Sequence, residues 1–268
     1  MRRGDWAGAT LAAALACAHP HAVAAQDMLR FLDLGSDEFT KADMTRSEIE
    51  AALAKVGPDG VVDLSGRRLN GVDLSGLDLR RTKLQAARLN RANLAGCNLD
   101  GVVLDQVWAL DADLTGAKLR GASLFASQLM AARLDGADLS GARITADLSR
   151  ASLKGARLEG ADLSADMRNQ SMGLMRGVLR SAKLDGANLA NAKLSRAVLE
   201  FASLREANLS GASLEASELA GADLQGADVT DANFDNADVT STRLVGLRGR
   251  DKALNLDRAK NLERAVLE

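Results

Sequence analysis

From residue 61 to residue 244 a large apolar residue recurs every five positions, preceded by Asp or Asn and, two places before it, by a small residue. Ala92-Asn93-Leu94-Ala95-Gly96 is one copy; Ala137-Asp138-Leu139-Ser140-Gly141, Ala187-Asn188-Leu189-Ala190-Asn191 and Ala222-Asp223-Leu224-Gln225-Gly226 are others. The large residue holds its place from Leu64 to Ile144, with one lapse at Ala109, and again from Leu174 to Leu244. A period of five suits neither common element. On a helix, steps of about 100° per residue would wind the leucines around every face. On a straight strand an odd period would alternate them between faces. A continuous buried stripe therefore requires the chain to turn once per repeat, with each Leu pointing inward. Such a unit cannot bury its Leu alone, so the coils must stack into a solenoid.

The other positions agree. The inward site two before the Leu is small, as a narrow core demands. Gly is frequent two after the Leu, where the turn needs unusual backbone angles. No proline follows Pro58, in keeping with a chain whose N–H groups bond to the next coil.

These residues resemble the pentapeptide-repeat protein family, whose motif is small-[Asp/Asn]-[Leu/Phe]-x-x. The resemblance implies an all-β fold, a right-handed quadrilateral β-helix with four pentapeptides per coil. It also implies that the C-terminal end can carry a homodimer contact. Some members protect DNA gyrase by presenting an acidic rod shaped like a duplex.

Along the chain, residues 1–25 read as a signal peptide: Arg2 and Arg3, an apolar stretch from Ala7 to Ala18, then Val23-Ala24-Ala25 before a cut at Gln26. Export to the periplasm or medium follows, with cytoplasmic residence as the alternative. Residues 26–60 form a helical N-terminal cap. Thr45-Arg46-Ser47-Glu48 is a capping box, Ile49, Leu53 and Val56 share one face, and Gly57-Pro58-Asp59-Gly60 ends the helix. The solenoid runs in two blocks, 61–166 and 173–244, around an irregular loop at 167–172. Steps of four, Ile144 to Leu148 and Leu163 to Met167, mark phase slips. Residues 245–268 leave the period as a partly helical C-terminal cap carrying Leu254, Leu256, Leu262 and Leu267.

Composition narrows the function classes. A net charge of −2 over 268 residues argues against a nucleic-acid partner for the molecule as a whole. No stretch is long and apolar enough to span a membrane. Both histidines, His19 and His21, lie in the signal, and no phosphate loop, metal spacing or nucleophile motif occurs, so the chain reads as a non-enzyme without cofactor. Cys97 sits at a small inward position and reads as structural.

Two surface features remain. Between Glu206 and Thr242 there are eight acidic residues and no basic one. With 20-residue coils, Glu215 stacks on Asp235 and Glu218 on Asp238, along one edge that suits a cation or a basic partner. Against this, Arg67, Arg68, Arg80, Arg81, Lys83, Arg88 and Arg91 make the first coils basic. Second, Leu110 and Met130 stack, flanked by Trp108 and Phe125, as an apolar partner patch. Trp108 has an alternative: to turn inward where Ala109 leaves the repeat without its Leu. The reading is an exported scaffold that binds a protein or surface partner through its faces, against the alternative of a gyrase-binding DNA mimic.

Overall fold

The computed structural model describes residues 32–57, 59–167 and 175–268. Asp33–Glu268 form one compact unit. The signal reading at 1–25 lies outside the described residues, as does Leu174, the expected first seat of the second block.

The unit is a stack of coils. Strand β1 (Val62–Asp63) pairs in parallel with β2 (Thr82–Lys83), and single parallel bridges continue the stack: Arg68↔Arg88, Asp73↔Asn93, Asp78↔Asn98. Partners lie 20 residues apart and each side takes five, so every coil has four faces. We number these by the first core leucine of each: Leu64, Leu69, Leu74 and Leu79. The central residues are buried from Leu64 to Leu244, with Ala, Cys97, Ser127 or another small residue beside them.

The five-residue motif follows from what each backbone N–H must find. The central N–H donates to the next coil, as Leu94 does to the Asp113 carbonyl at 2.6 Å. The second corner residue does the same, Gly96 to Thr115 at 2.9 Å. The outward residue donates to the preceding coil, Asn93 to Val72 at 3.0 Å, and the small residue closes the corner, Ala92 to Leu89 at 3.0 Å. The N–H just after the Leu has no place in this ladder. The Asp or Asn side chain accepts it: Asp63 from Ser65 at 2.9 Å, Asn93 from Ala95 at 3.1 Å, Asp238 from Thr240 at 3.0 Å.

The end structures use other chemistry. Helix α1 (Asp37–Thr40) belongs to an arm, 33–45, discussed below. Helix α2 (Arg46–Lys55) opens on a capping box in which Thr45 accepts from the Glu48 amide and the Glu48 carboxylate accepts from Thr45. It buries Ile49 completely against the leucine stack, with Leu53 and Val56 beside it. Arg46 donates to the carbonyls of Asp73 and Ser75 at 3.2 and 3.1 Å, which satisfies part of the open first edge.

Both phase irregularities have a structural form. Ile144 to Leu148 is a coil one residue short: Gln128 pairs with Asp147 and Arg133 with Ser152, each 19 apart. The second slip differs from the sequence reading. Met167 is 50% exposed and takes no core seat; Leu179 fills the seat after Leu163. The coil here is lengthened by an insertion, with Asp147↔Val178 and Asp162↔Lys193 pairing 31 apart. The chain re-enters at Gly177, whose N–H donates to the Leu163 carbonyl at 2.9 Å. A Cβ there would stand 2.8 Å from the Leu163 Cβ, so the return requires glycine.

The C-terminal segment is a last coil of the same stack rather than a separate cap. Asn233↔Leu254, Asp238↔Lys260 and Arg243↔Val266 continue the bridges, while 3-10 turns at Arg250–Lys252, Leu256–Arg258 and Leu262–Arg264 widen the corners. Leu256 points inward, whereas Leu254 and Leu267 are 50% and 37% exposed.

Candidate functional site

On the second face of the first three coils the outward positions are Arg68, Arg88 and Trp108, where the motif would place Asp or Asn. The Trp108 backbone keeps the ladder, donating to the Ala87 carbonyl at 3.0 Å, so its ring stands outside the solenoid. Ala109 occupies the core seat, 2% exposed, beside a void of about 10 Å³. The inward alternative for Trp108 is thereby excluded. The ring is nonetheless not a bare surface. Phe39 of the arm meets it edge-on at 5.2 Å between centroids, and the Arg88 guanidinium lies 4.8 Å from the Phe39 ring and 5.3 Å from the Trp108 ring.

The arm is held mainly by its backbone. Asn70 Nδ2 donates to the carbonyls of Glu38 and Lys41 at 3.0 and 2.8 Å, and Asn90 Nδ2 donates to that of Phe39 at 3.4 Å. Two carboxylates add charge: Glu38 pairs with Arg88, and Asp43 accepts from Arg68 Nε at 2.8 Å. The Arg68 side chain and amide hold the Asp43 carboxyl below the usual range, and Asp43 in turn raises Arg68.

Asn70 and Asn90 also answer the backbone need that Arg88 and Trp108 cannot meet. Asn70 Oδ1 accepts the Asn90 amide at 3.1 Å, and Asn90 Oδ1 accepts that of Leu110 at 3.0 Å. The acceptor has moved from before the Leu to after it, one coil below. This frees two outward positions, those of Arg88 and Trp108, in one column.

Of the expected patch, Leu110 and Met130 do share a column and Trp108 lies in the adjoining one. Gln128 rather than an apolar residue stacks on Trp108. Phe125 belongs to the first face, with the Arg143 guanidinium 5.3 Å from its ring. All four are half-buried.

The acidic edge is less bare than its sequence. Glu218 and Asp238 are bridge partners, as the 20-residue coil requires. Yet Arg176, from the insertion, reaches Glu218 at 2.7 Å, Arg258 reaches Asp235 at 3.1 Å, and Asn261 donates to Asp238 at 3.0 Å. Burial pushes the Asp238 carboxyl up, but hydrogen bonds from Thr240 and Asn261, with Lys260 nearby, hold it below the usual range. Glu215 completes the edge as an exposed residue. Among the described residues no group of three or more metal-ligating side chains is placed to hold an ion, so the four carboxylates do not make the expected cation site. The basic coils are compensated in part. Arg68 and Arg88 pair with the arm, and Arg80 with Asp78 at 2.6 Å.

A family model described as pentapeptide repeats matches this chain in eight copies, over residues 62–94, 87–124, 110–145, 127–165, 182–217 and 212–246, more than half its length. The chain belongs to the pentapeptide-repeat family. It is similar in structure to HetL, a pentapeptide repeat protein involved in heterocyst differentiation regulation from the cyanobacterium Nostoc sp. Strain PCC 7120. The two share 30% identity over 83% of this chain and 94% of HetL, with a TM-score of 0.66. A second likeness is to QnrB1, a plasmid-mediated fluoroquinolone resistance protein, at 19% identity over 78% of this chain and 90% of that one, with a TM-score of 0.48. A search of curated protein sequences gives no match.

Within this pentapeptide-repeat frame the informative residues are the departures from the motif. Phe39, Arg88, Asn70 and Asn90 were not singled out together from the sequence. A signal existed: Arg68, Arg88 and Trp108 break the Asp/Asn rule at intervals of 20. At the insertion, Arg143, Thr145, Asp162, Ser164 and Asp166 line an open polar cleft of about 200 Å³, in which Arg143 pairs with Asp166 at 2.8 Å. No helix among the described residues is long and apolar enough to cross a membrane.

Proposed function

We propose that this pentapeptide-repeat protein is an exported, non-enzymatic scaffold that binds a protein or surface partner through its lateral faces. The observation that carries this is the filled interior. Leu and Ala pack the core from end to end, and the void at Ala109 is about 10 Å³, room for about one water. A reaction needs a pocket with converging groups, whereas here chemical variety is confined to outward and corner positions. The likeness to HetL, described as involved in a regulatory process, sits well with a binding role. Export is supported by Arg2-Arg3, the Ala7 to Ala18 stretch and Val23-Ala24-Ala25. The gyrase-directed alternative has less support, because Glu218 and Asp235 are ion-paired and the first coils, from Arg67 to Arg91, are basic rather than acidic. Leu254, Val266 and Leu267, exposed on the last coil, favour self-association at that end.

Photo-crosslinking in cells tests the scaffold, with benzoylphenylalanine placed on one face at a time, for example at Val103 or Phe201, which are 37% and 65% exposed. A discrete adduct from some faces and not others is expected; no adduct from any face refutes it. Fractionation with N-terminal sequencing tests export. A start at Gln26 outside the cytoplasm supports it, and an intact Met1 in the cytoplasm overturns it.

A further inference from the structure

The geometry points to a peptide-binding groove on the second face of the first three coils, occupied here by the protein's own arm and open to an extended acidic segment with an aromatic residue from a partner protein. This deepens the scaffold reading by naming the face and the chemistry it reads.

The groove exists without the arm. Asn70 and Asn90 have their oxygens fixed by solenoid backbone amides at 3.1 and 3.0 Å, and Asn90 Nδ2 also donates to Asn70 Oδ1 at 3.1 Å, so both side chains are held in place by the solenoid itself, with Asn70 Nδ2 and the remaining Asn90 N–H turned to the arm. Donors set in advance cost little ordering on binding. Arg68 and Arg88 rise from consecutive coils beside them, and Trp108 closes the row. The groove therefore offers two carbonyl-reading amides, two guanidinium groups and an aromatic slot roofed by a cation.

The arm shows what fits. It presents carbonyls to the amides, Glu38 and Asp43 to the arginines, and Phe39 to the slot. Most of these contacts read backbone or charge, so another segment with an aromatic residue between acidic ones makes the same set. The arm is also lightly attached. From Asp33 to Asp43, Phe39 is the single buried side chain, and α1 is one turn of four residues. The arm's other ties are hydrogen bonds and ion pairs at the surface, with one backbone bridge from Ala42 to Leu69, and a segment with one buried side chain opens more readily than the solenoid unfolds. The arm is then an internal competitor that a partner's segment displaces.

Fluorescence anisotropy with a labelled synthetic peptide of residues 33–45 tests this on the full-length protein. Phe39→Ala, which empties the slot, is expected to bind the peptide saturably and at least about tenfold more tightly than wild type, whose tethered arm competes at high effective concentration. Glu38→Ala/Asp43→Ala loosens the arm differently and must also bind more tightly than wild type. Adding Trp108→Ala or Arg88→Ala to Phe39→Ala should weaken binding at least about tenfold. Lack of saturable binding by both loosened variants, or indifference to Trp108→Ala, overturns the groove. A concentration-dependent wild-type dimer abolished by Trp108→Ala also overturns it, by placing a second copy's arm there. Loss of the groove on these grounds leaves crosslinking from the other faces untouched, so the two readings fail separately.

Discussion

The repeat around Ala109 has its large and small residues exchanged, and a double-mutant cycle can measure that exchange. In most repeats the inward pair is small then large, as in Ala87 with Leu89 or Ala132 with Leu134, and where the first is Val or Leu, as at Val102 and Leu77, a Leu still follows. Here it is Val107 with Ala109, both buried and both lining the same void of about 10 Å³. Losing a Leu side chain without collapse would leave far more space, so Val107 fills part of it. Ala109→Leu alone must fit three further carbons where about one fits, which costs about 1–3 kcal/mol by overpacking. Val107→Ala alone removes two buried carbons and enlarges the void, costing about 2 kcal/mol. Together they restore the pattern of neighbouring coils, and the double variant should lie within about 1 kcal/mol of wild type. The coupling is then about 2–5 kcal/mol in the stabilising direction. Urea unfolding of the four proteins, followed by circular dichroism at constant slope, gives the free energies. Effects that add within about 0.5 kcal/mol would refute the idea that Val107 occupies the missing leucine's space.

Register is tested by Leu189→Asp, which buries an unpaired carboxylate and should cost several kcal/mol, roughly 4 or more, against under about 0.5 for Ala190→Asp, one place on and outward; equal melting temperatures would contradict it. Gly177→Ala should destabilise by about 2–3 kcal/mol through collision with Leu163, whereas Gly116→Ala, in open space at φ +63°, should lose only about 1 kcal/mol to left-handed strain. Burial pushes the Cys97 thiol up to about 11, and its Sγ donates to the Leu74 carbonyl at 2.9 Å. In a Cys17→Ser background it should resist thiol reagents at pH 8 until the protein unfolds; prompt native labelling would show that the first coils open readily.

The solenoid was legible because its rule is local. Five residues state which side chain turns inward, and each central residue from Leu64 to Leu163 obeys it. The short coil at Ile144 to Leu148 could be read as well, since one missing residue shifts the phase visibly. Met167 misled because an apolar residue happened to fall four places after Leu163, while the true occupant of the seat, Leu179, lies beyond an insertion that carries no periodic signal. Surface properties were read less well for a different reason. Charges four residues apart are visible in a sequence, but Arg176 reaches Glu218 across 42 positions and Glu38 reaches Arg88 across 50. Acidic and basic runs therefore looked bare when they are partly compensated. Trp108 could be placed only once its backbone bond to Ala87 showed which way the residue faces.

The Asp/Asn position shows where such a chain is free to vary. Its side chain answers one orphan N–H per repeat, so replacing it exposes that N–H unless another acceptor is supplied. Where the outward residue is Lys118, Ser123 or Ser152, a carboxylate one coil below takes over: Asp100 accepts from Arg120 at 2.9 Å, Asp105 from Phe125 at 2.9 Å, and Asp135 from Lys154 at 2.9 Å. The second face does the same with Asn70 and Asn90, but there it uses neutral amides. A carboxylate could accept the solenoid N–H as well as an amide does. It could not also donate to the arm's carbonyls, and it would repel Glu38 and Asp43. The choice of Asn at both positions thus follows from two simultaneous demands, one from the coil and one from the segment lying on it. The three replacements that serve the backbone alone, Asp100, Asp105 and Asp135, are Asp. The two that serve both the backbone and the arm, Asn70 and Asn90, are Asn, and they lie under the arm.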